Sequence, residues 1–381
     1  MTAGRRVPLS VLDLIPVTSG QQVPEAVGNA IDLARQAEAY GYRRFWIAEH
    51  HVNPGVAGSA PIVAIALIAA ATTTIRVGSG AVLAGHYTAL GVVEQFGLID
   101  AVHPGRLDLG LGRSASRKPG APVPGGSPAP TSPPSPPATA PNGLPLPAAP
   151  KDLFARLAES PRFRAQAELF GRRDHQEYGD QVADLLSLLD GDYRSADGIA
   201  LHAIPGEGAE LEIWILGSSG GESAQLAGAR GLPFAANYHV APQRVLEAVE
   251  GYRAAFRPSP RLEQPQVAVS ADVVVAETEE RAAELASGYR HWVRSIRSGE
   301  GAIRFPSPAE AAVLPWTDHD QELVADRLQT QFVGTPEQVV AGLDRLAEAT
   351  AADELIITTI THRHADRVRS YRLLAEAWNH H

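Results

Sequence analysis

The chain has 381 residues and is 44% hydrophobic, so it can bury a substantial core as one large domain or two smaller ones. Its net charge of −10 and pI near 5.7 give no basic footprint for nucleic acid or an anionic membrane, and we expect a small-molecule ligand. Because cysteine is absent, disulfides, thiolate metal sites and cysteine nucleophiles are excluded, and redox chemistry requires a cofactor. No signal peptide or membrane span is evident, so we expect a soluble, cytoplasmic protein.

Strand-like and helix-like segments alternate from the N-terminus onward. Short apolar runs bounded by turn residues predict strands, and apolar residues at helical spacing predict the helices between them. The first helix begins near Pro24, and Gly41 suits the position just after its end. The predicted order is strand 9–13, helix 24–40, strand 45–48, helix 61–72, strand 75–79, helix 89–102 and strand 106–112.

The same alternation resumes in the second half of the chain. The motif Thr335-Pro336-Glu337-Gln338 has the composition of a capping box and begins a helix. Eight strands, each followed by a helix, predict a closed (β/α)8 TIM barrel. The predicted order is helix 180–189, strand 212–216, helix 222–229, strand 233–236, helix 242–256, strand 267–275, helix 335–347, strand 354–359 and a last helix to about residue 378.

An open doubly wound sheet is the competing α/β architecture. It would require a glycine-rich dinucleotide fingerprint at the first turn between strand and helix, and Asp13-Leu14-Ile15-Pro16 has none. The segment Gly110-Leu111-Gly112-Arg113-Ser114-Ala115 fits G-x-G-x-x-A, but proline-rich sequence follows where the motif needs a helix. We therefore favour the barrel.

Two insertions account for the length of the chain beyond an ordinary barrel, and we expect a single domain over residues 1–381. Residues 119–150, after strand four, contain 13 prolines in 32 positions, which predicts an extended, disordered excursion. Residues 277–334, after strand seven, have a helical pattern over 279–296 and 318–329. Because this insertion follows the carboxyl end of a strand, it lies on the face where barrels carry active sites, and we expect a lid.

Polar residues follow nearly every predicted strand, and in a barrel these strand ends converge on one mouth. After strands two to six and eight, respectively, these residues are Glu49-His50-His51, Gly78-Ser79-Gly80, Gly112-Arg113-Ser114, Gly217-Ser218-Ser219-Gly220-Gly221, Asn237-Tyr238-His239, and Thr358-Thr359 with Thr361-His362.

The glycine-serine turn after strand five is a candidate phosphate site. Glycines such as Gly220 permit close backbone approach, Ser218 and Ser219 add hydroxyl donors, and a helix N-terminus follows. Arg113, from the neighbouring strand, supplies a bidentate cation. The alternative interpretations are a plain turn and a structural ion pair. The joint occurrence of the glycine-serine turn and Arg113 on adjacent strands favours the phosphate.

His50 and His51 are adjacent, so only one of them can face the mouth while the strand persists. This geometry and the lack of a third ligand at zinc-like spacing predict no metal site. Either histidine could instead be a structural residue bonded to backbone. Glu49 could orient a histidine or form an ion pair in the barrel wall. Asn237, Tyr238 and His239 could line the site or simply pack in their loop.

Seven segments, in this order, resemble the luciferase-like flavin-dependent monooxygenase family, the bacterial luciferase-like superfamily. They are 9–13, 48–51, 59–61, 76–80, 103–113, 216–219 and 352–355, spanning the chain outside its proline-rich part. The resemblance implies a barrel that binds FMN non-covalently, reduced FMN delivered by a separate flavin reductase, and O2 as co-substrate. It further implies oxygenation of a small organic substrate through a flavin C4a-hydroperoxide, and a homodimer.

The resemblance also assigns roles to individual residues. His50 matches the catalytic histidine of the family, and Arg113 matches the arginine that holds the flavin phosphate. Ser218 and Ser219 match donors to that phosphate, and Gly80-Ala81 matches a non-prolyl cis peptide beneath the flavin ring. The chain departs from bacterial luciferase in lacking a cysteine near the flavin and in its insertion after Arg113, so it resembles the broader group.

Two other functions stay open at this point. A deazaflavin-dependent dehydrogenase on the same barrel would transfer hydride without oxygen. A non-catalytic flavin-binding protein is a different class, and the intact Glu49-His50-His51 motif argues against it. A phosphate-binding lyase or isomerase would need a lysine or paired carboxylates at strand ends, and we find neither. The loops carry no recognisable signal for the organic substrate.

Overall fold

Eight parallel strands form a closed barrel in the structure, a computed structural model that describes residues 6–113, 138–170 and 176–379. Each strand pairs with the next along the chain, and the last pairs with the first, with Leu9 beside Leu355. The predicted (β/α)8 TIM barrel is confirmed. The barrel strands are β1 (Leu9–Asp13), β2 (Arg44–Ile47), β3 (Arg76–Ser79), β4 (Leu107–Gly112), β5 (Glu212–Gly217), β6 (Phe234–Asn237), β7 (Val267–Val275) and β8 (Glu354–Thr358).

Helices surround the barrel and fill the insertion after β7. Among the described residues, no helix is both long and apolar enough to cross a membrane. The α-helices are α1 (Val23–Ala39), α2 (Pro61–Ala71), α3 (Ala89–Asp100), α4 (Leu153–Glu159), α5 (Pro161–Phe170), α6 (Tyr178–Asp190), α7 (Glu222–Ala229), α8 (Val245–Ala255), α9 (Glu279–Ala286), α10 (Tyr289–Arg297), α11 (Pro308–Val313), α12 (Asp318–Thr330), α13 (Pro336–Thr350) and α14 (His364–Asn379).

Local sequence signals account for several helix ends. Gly41 has a φ of +82°, which a glycine adopts at little cost, and it stops the chain from continuing α1. The capping box predicted at Thr335 is present, with the Thr335 backbone N–H donating to Gln338 Oε1 at 3.0 Å. These caps fix where the flanking helices meet the barrel.

Alternation along the strands builds two apolar layers. Residues such as Val11 and Phe45 face outward and pack against the helices, whereas Leu12, Trp46 and Trp214 fill the barrel interior. The rings of Trp46 and Trp214 meet edge to face at 5.4 Å. The interior is therefore a packed core that supports the mouth of the barrel.

Glycines in β3 and β4 let these two strands approach each other closely. A Cβ at Gly110 would lie 2.0 Å from the Ser79 carbonyl oxygen, and one at Gly78 would lie 2.3 Å from the Asp108 carbonyl oxygen. The Gly110-Leu111-Gly112 segment thus lies within a barrel strand and serves strand packing, consistent with the rejection of a dinucleotide turn.

The amino end of the barrel interior is closed by a buried ionic network. Arg44, with its side chain fully buried, lies 2.9 Å from Asp108, 3.0 Å from Glu354 and 2.6 Å from Glu212. The indole nitrogen of Trp46 donates to Asp108 at 2.9 Å. Burial would lower the pKa of Arg44, but the three carboxylates raise it above its usual range.

The insertion after β7 contains helices α9 to α12 and ends in a short strand, Phe332–Gly334, paired with β7. The single helix predicted over 279–296 is two helices, separated at Ser287 and Gly288. A Cβ at Gly288 would lie 2.7 Å from the Phe305 ring, so the break allows this part of the insertion to pack tightly.

The prediction of disorder over 119–150 falls partly on residues 119–137, which lie outside the described residues. Residues 138–150 depart from it, because Ala138–Thr139 and Pro145–Leu146 form an antiparallel pair. Leu144 between them is fully buried, and the Tyr238 hydroxyl donates to the Pro145 carbonyl oxygen at 2.7 Å. Apolar contacts and this hydrogen bond hold in place a segment whose composition predicted disorder.

Candidate active site

The carboxyl ends of the barrel strands surround a cavity of about 460 Å³. Its wall combines residues of the barrel strands and their loops with residues of α10 and α12 from the insertion. The lining residues from the strand ends include Leu12, Glu49, His50, Gly80, Ala81, Gly112, Arg113, Ser218, Ser219, Asn237, His239, Asp272 and Thr358. The mouth of the barrel therefore gathers most of the predicted site residues in one place.

His50 lines the cavity at the end of β2. Its backbone N–H donates to the Gly58 carbonyl oxygen at 2.8 Å, which fixes the turn that presents the ring. The residue is exposed to the cavity but enclosed by its walls. This desolvation, with a smaller contribution from His51, lowers the pKa of His50 to about 4. The imidazole is thus neutral at neutral pH and available as a proton acceptor.

His51 turns away from the cavity toward Glu49 and His86. Its Nε2 lies 2.7 Å from Glu49 Oε1, and its ring contacts the His86 ring at 5.1 Å between centroids. Glu49 Oε2 accepts from the Leu83 backbone N–H at 2.8 Å, and burial raises the Glu49 pKa. Glu49 thus acts as a bridge between the β2 end and the loop after β3.

The prediction of no metal site rested on the lack of a third ligand after Glu49 and His51. The structure supplies a neighbour that sequence spacing did not reveal, because His86 lies in a short 3-10 helix, Ala84–His86. One ligand atom from each of the three residues lies within 4.8 Å of the others. Glu49 and His51 are hydrogen-bonded to each other within this group, and the absence of a metal stays a prediction.

The peptide bond between Gly80 and Ala81 is cis, as the resemblance implies. Both residues line the cavity just beyond β3. The Gly80 backbone N–H donates to the Ile47 carbonyl oxygen at 2.8 Å, which ties this bend to the end of β2. The loop after β3 therefore forms a small-residue wall beside His50.

Arg113, Ser218 and Ser219 meet at one end of the cavity. The neighbouring strands β4 and β5 bring them together, with Gly112 beside Leu216 in register. Arg113 donates to the carboxylate of Glu222, in the first turn of α7, and its side chain is 51% exposed. A guanidinium, two hydroxyls and a helix N-terminus thus converge, the composition that favours an anion.

Gly220 departs from the predicted cofactor-binding set. It does not line the cavity, and its backbone N–H donates to Glu247 Oε1 at 3.3 Å. A Cβ at Gly220 would lie 2.7 Å from the Glu247 carbonyl oxygen. The glycine is needed for close packing of the turn on α8, so its position is explained by structure alone.

Asn237, the last residue of β6, and the two residues that follow it divide between the cavity and the wall. Asn237 and His239 line the cavity, whereas Tyr238 is fully buried and points to the segment 138–150. His239 Nδ1 lies 2.6 Å from the Ser270 hydroxyl. Burial lowers the pKa of His239 to about 4, a shift that Asp272 opposes and Arg327 and His50 reinforce.

Sequence reasoning missed a second cluster on the opposite side of the cavity. Arg327, on α12, donates from Nη2 to Asp272 Oδ2 at 3.1 Å and to the Tyr289 hydroxyl at 2.9 Å. Tyr289 also hydrogen-bonds Asp272. Ser270 and Asp272, two polar residues on one face of the apolar strand β7, were the available signal. No local pattern marks Arg327.

Comparison with known proteins identifies relatives along nearly the whole chain. The family model described as luciferase-like monooxygenase matches residues 7–123 and 161–353. A luciferase-like monooxygenase of Escherichia coli strain K12 is 32% identical over 369 residues, covering 97% of this chain and 96% of the relative. The crystal structure of apo-MsnO8 is 32% identical, with a TM-score of 0.77 and 98% of each chain covered.

More distant solved structures share the fold alone. The FMN complex of the oxygenating constituent of 3,6-diketocamphane monooxygenase, from Pseudomonas putida, is 19% identical, with a TM-score of 0.64 over 98% of both chains. An F420-dependent secondary alcohol dehydrogenase is 14% identical, with a TM-score of 0.60 over 98% of both chains. Proteins of this fold thus bind either kind of flavin.

Proposed function

The chain belongs to the luciferase-like monooxygenase family, and from this premise we propose that it is an FMN-dependent monooxygenase. In this proposal the protein uses reduced FMN and O2 to oxygenate a small organic substrate. The observation that carries the proposal is that three features line a single cavity: His50, the bend at Gly80 and Ala81, and the anion site formed by Arg113, Ser218 and Ser219. A flavin with its phosphate at one end and its ring at the other would contact all three.

The residues present fit such a cofactor. Arg113, Ser218 and Ser219 would hold the phosphate, which would compete with Glu222 for the guanidinium. Gly80, Ala81 and other small residues leave space for a flat ring between the phosphate end and His50. Because the Arg113–Glu222 pair is half exposed, exchange of one anion for another costs little.

When bound, reduced FMN would supply the electrons that activate O2 for transfer of one oxygen atom. His50, neutral because its pKa is lowered to about 4, would accept a proton or a hydrogen bond at a ring nitrogen that borders the cavity. Trp292 and Ile296 of α10 and Arg327 of α12 line the cavity and would limit the access of water to a bound flavin. The insertion over 277–334 would thus serve as the lid.

A separate flavin reductase would deliver the reduced FMN, as the family resemblance implies. Association into a homodimer stays a prediction from the same resemblance.

Anaerobic titration with reduced FMN and with a reduced deazaflavin tests the proposal. We expect reduced FMN to bind more tightly by about tenfold or more, equivalent to about 1.4 kcal/mol. Binding can be followed by calorimetry and does not depend on turnover. Tight binding of the deazaflavin alone would instead support a dehydrogenase on the same barrel, and binding of neither would contradict a flavin function.

A further inference from the structure

The side of the cavity opposite the phosphate end has one polar corner in an apolar wall. Leu14, Trp292, Ile296 and Ile360 form much of the apolar surface there. The polar corner consists of Asp272, Arg327 and Thr358, with the indole nitrogen of Trp292 as a fourth polar group. This distribution matches a ligand with an apolar body and one polar end.

Arg327 is held firmly in this corner. Its side chain is only 11% exposed, and that of Asp272 is 9% exposed. Nη2 donates to both Asp272 Oδ2 and the Tyr289 hydroxyl, and the guanidinium lies 5.8 Å from the centre of the Tyr289 ring. The Asp272–Arg327 ion pair therefore presents a preorganised guanidinium, because the Arg327 rotamer is fixed before any ligand arrives.

Three donors in the corner have no hydrogen-bond partner among the described residues. They are Arg327 Nε, Trp292 Nε1 and the Thr358 hydroxyl, all on buried or nearly buried side chains that line the cavity. Indole and guanidinium nitrogens donate only, so the group that satisfies them has to accept. Buried donors without partners are costly, which makes a ligand or solvent acceptor beside them favourable.

We propose that Arg327, Trp292 and Thr358 form a subsite for a carboxylate on the organic substrate, with the apolar wall holding the rest of that molecule. This inference rests on the proposed function, since it names the substrate class for the same cavity. A carboxylate offers two acceptor oxygens to three donors, and its charge strengthens each hydrogen bond to the guanidinium. Asp272 tolerates the neighbouring anion because its Oδ2 already accepts from Tyr289 and Arg327.

The flavin phosphate is not the natural occupant of this corner. Arg113, Ser218 and Ser219 serve an anion at the other end of the cavity, on β4 and β5, whereas the corner is built from β7, β8 and the insertion. One cavity thus has two donor sites, and a cofactor anchored at the first leaves the second for the substrate.

Calorimetry with matched neutral and anionic probes tests the subsite. The probes are straight-chain carboxylates from butanoate to decanoate and their primary amides, titrated into the apo-protein and the FMN-loaded protein. At least one carboxylate of the series should bind FMN-loaded protein about tenfold or more tightly than its amide, as expected for hydrogen bonds to a charged group. No preference for any carboxylate would overturn the proposal.

Variants separate recognition from folding. Asp272→Asn combined with Arg327→Gln removes both charges together, so no lone charge stays buried, and the carboxylate preference should disappear. Thr358→Val keeps the shape of the side chain and should weaken carboxylate binding about threefold or more. Arg294→Gln is the matched control, because Arg294 on α10 pairs with Glu300 at 2.7 Å and Asp320 at 3.0 Å and does not line the cavity.

The two protein forms distinguish failure of this inference from failure of the proposed function. If FMN does not bind, a carboxylate preference in the apo-protein that the double variant removes still supports the subsite. If FMN binds and abolishes carboxylate binding, the corner serves the flavin, and the substrate assignment is wrong. Preference retained in the double variant would also overturn it.

Discussion

The two ends of the barrel interior carry buried charges in opposite circumstances. At the amino end, Arg44 engages Asp108, Glu212 and Glu354 through Nε and Nη1 and does not line the cavity at the barrel mouth. At the carboxyl end, Arg327 engages Asp272 through one nitrogen and borders a cavity of about 460 Å³. Both arginines are nearly buried, and each keeps one guanidinium nitrogen without a hydrogen-bond partner, Nη2 of Arg44 and Nε of Arg327, yet only Arg327 lines the cavity.

The comparison shows that a buried ion pair does not by itself mark a functional site. The Arg44 guanidinium is surrounded by carboxylates of the chain itself, so its charge is used in holding four strands, β2, β4, β5 and β8, together at the amino end of the barrel. The groups at the carboxyl end border a cavity with their hydrogen-bonding capacity incompletely used. Unused capacity beside a cavity, rather than charge or burial, distinguishes the candidate site.

The largest expected effect is the loss of folding stability on removing Arg44 at the amino end of the barrel. Arg44→Met leaves buried carboxylates without their cation and should reduce the free energy of unfolding by about 3–5 kcal/mol. Urea unfolding followed by circular dichroism measures it. Arg43→Met is the control, because Arg43 is 43% exposed and lies 3.7 Å from Glu354, and should cost less than about 1 kcal/mol. Equal effects of the two substitutions would break the comparison.

His50→Ala should affect chemistry rather than folding or cofactor binding. We expect the affinity for reduced FMN to stay nearly unchanged and oxygenation to fall by about 10²–10⁴-fold, the usual contribution of a positioned proton acceptor. Incorporation of ¹⁸O from ¹⁸O₂ into any substrate that the wild-type protein oxygenates measures the loss. His202→Ala, which removes an exposed histidine paired with Glu207, is the control. Surviving oxygenation would remove His50 from its assigned role.

Arg113→Met should weaken binding of reduced FMN by about 10–100-fold, because a hydrogen bond to a charged group contributes about 1.5–3 kcal/mol. The free energy of unfolding should hardly change, since the Arg113–Glu222 pair is half exposed. Calorimetry gives the dissociation constant. Arg244→Met removes a similarly exposed ion pair with Glu247 and should leave FMN binding intact. An unchanged constant for Arg113→Met would exclude it from the phosphate site.

The smallest effect is expected from a change of pH on the rate of the oxygenation step. His50 has a pKa lowered to about 4, so the neutral, proton-accepting form is present above that value and is lost as the pH falls through it. The rate of the oxygenation step should therefore vary little between about pH 6 and about pH 8. Its acidic limb should lie near pH 4. A limb near the ordinary histidine pKa would show that the cavity does not desolvate His50.

Sequence patterns predicted the barrel closely because each strand is a short apolar run between turn residues. The strands 9–13 and 267–275 have the predicted bounds. The prediction of one helix over 279–296 was wrong at Ser287 and Gly288, where packing against Phe305 decides the break. Composition likewise misled over residues 138–150, where long-range contacts hold a two-stranded pair.

The candidate site could be predicted only where strand order decides proximity. His50, Arg113, Ser218 and Ser219 follow barrel strands, and the topology brings them to one cavity. Arg327 could not be found in this way, because it reaches Asp272 from a helix 55 residues later in the chain. His86 could not be found either, because it contacts His51 from a short helix in the loop after β3.

Oxygen reactivity of the reduced-flavin complex tests the central claim most directly. The anaerobic complex with reduced FMN is mixed with oxygenated buffer, and its absorbance is followed by stopped flow. We predict a transient absorbance distinct from both reduced and oxidised FMN, because the residues that line the cavity would shield the bound flavin from water. Oxidation in one phase, as for free FMN, would contradict the assignment of this cavity as an oxygenation site.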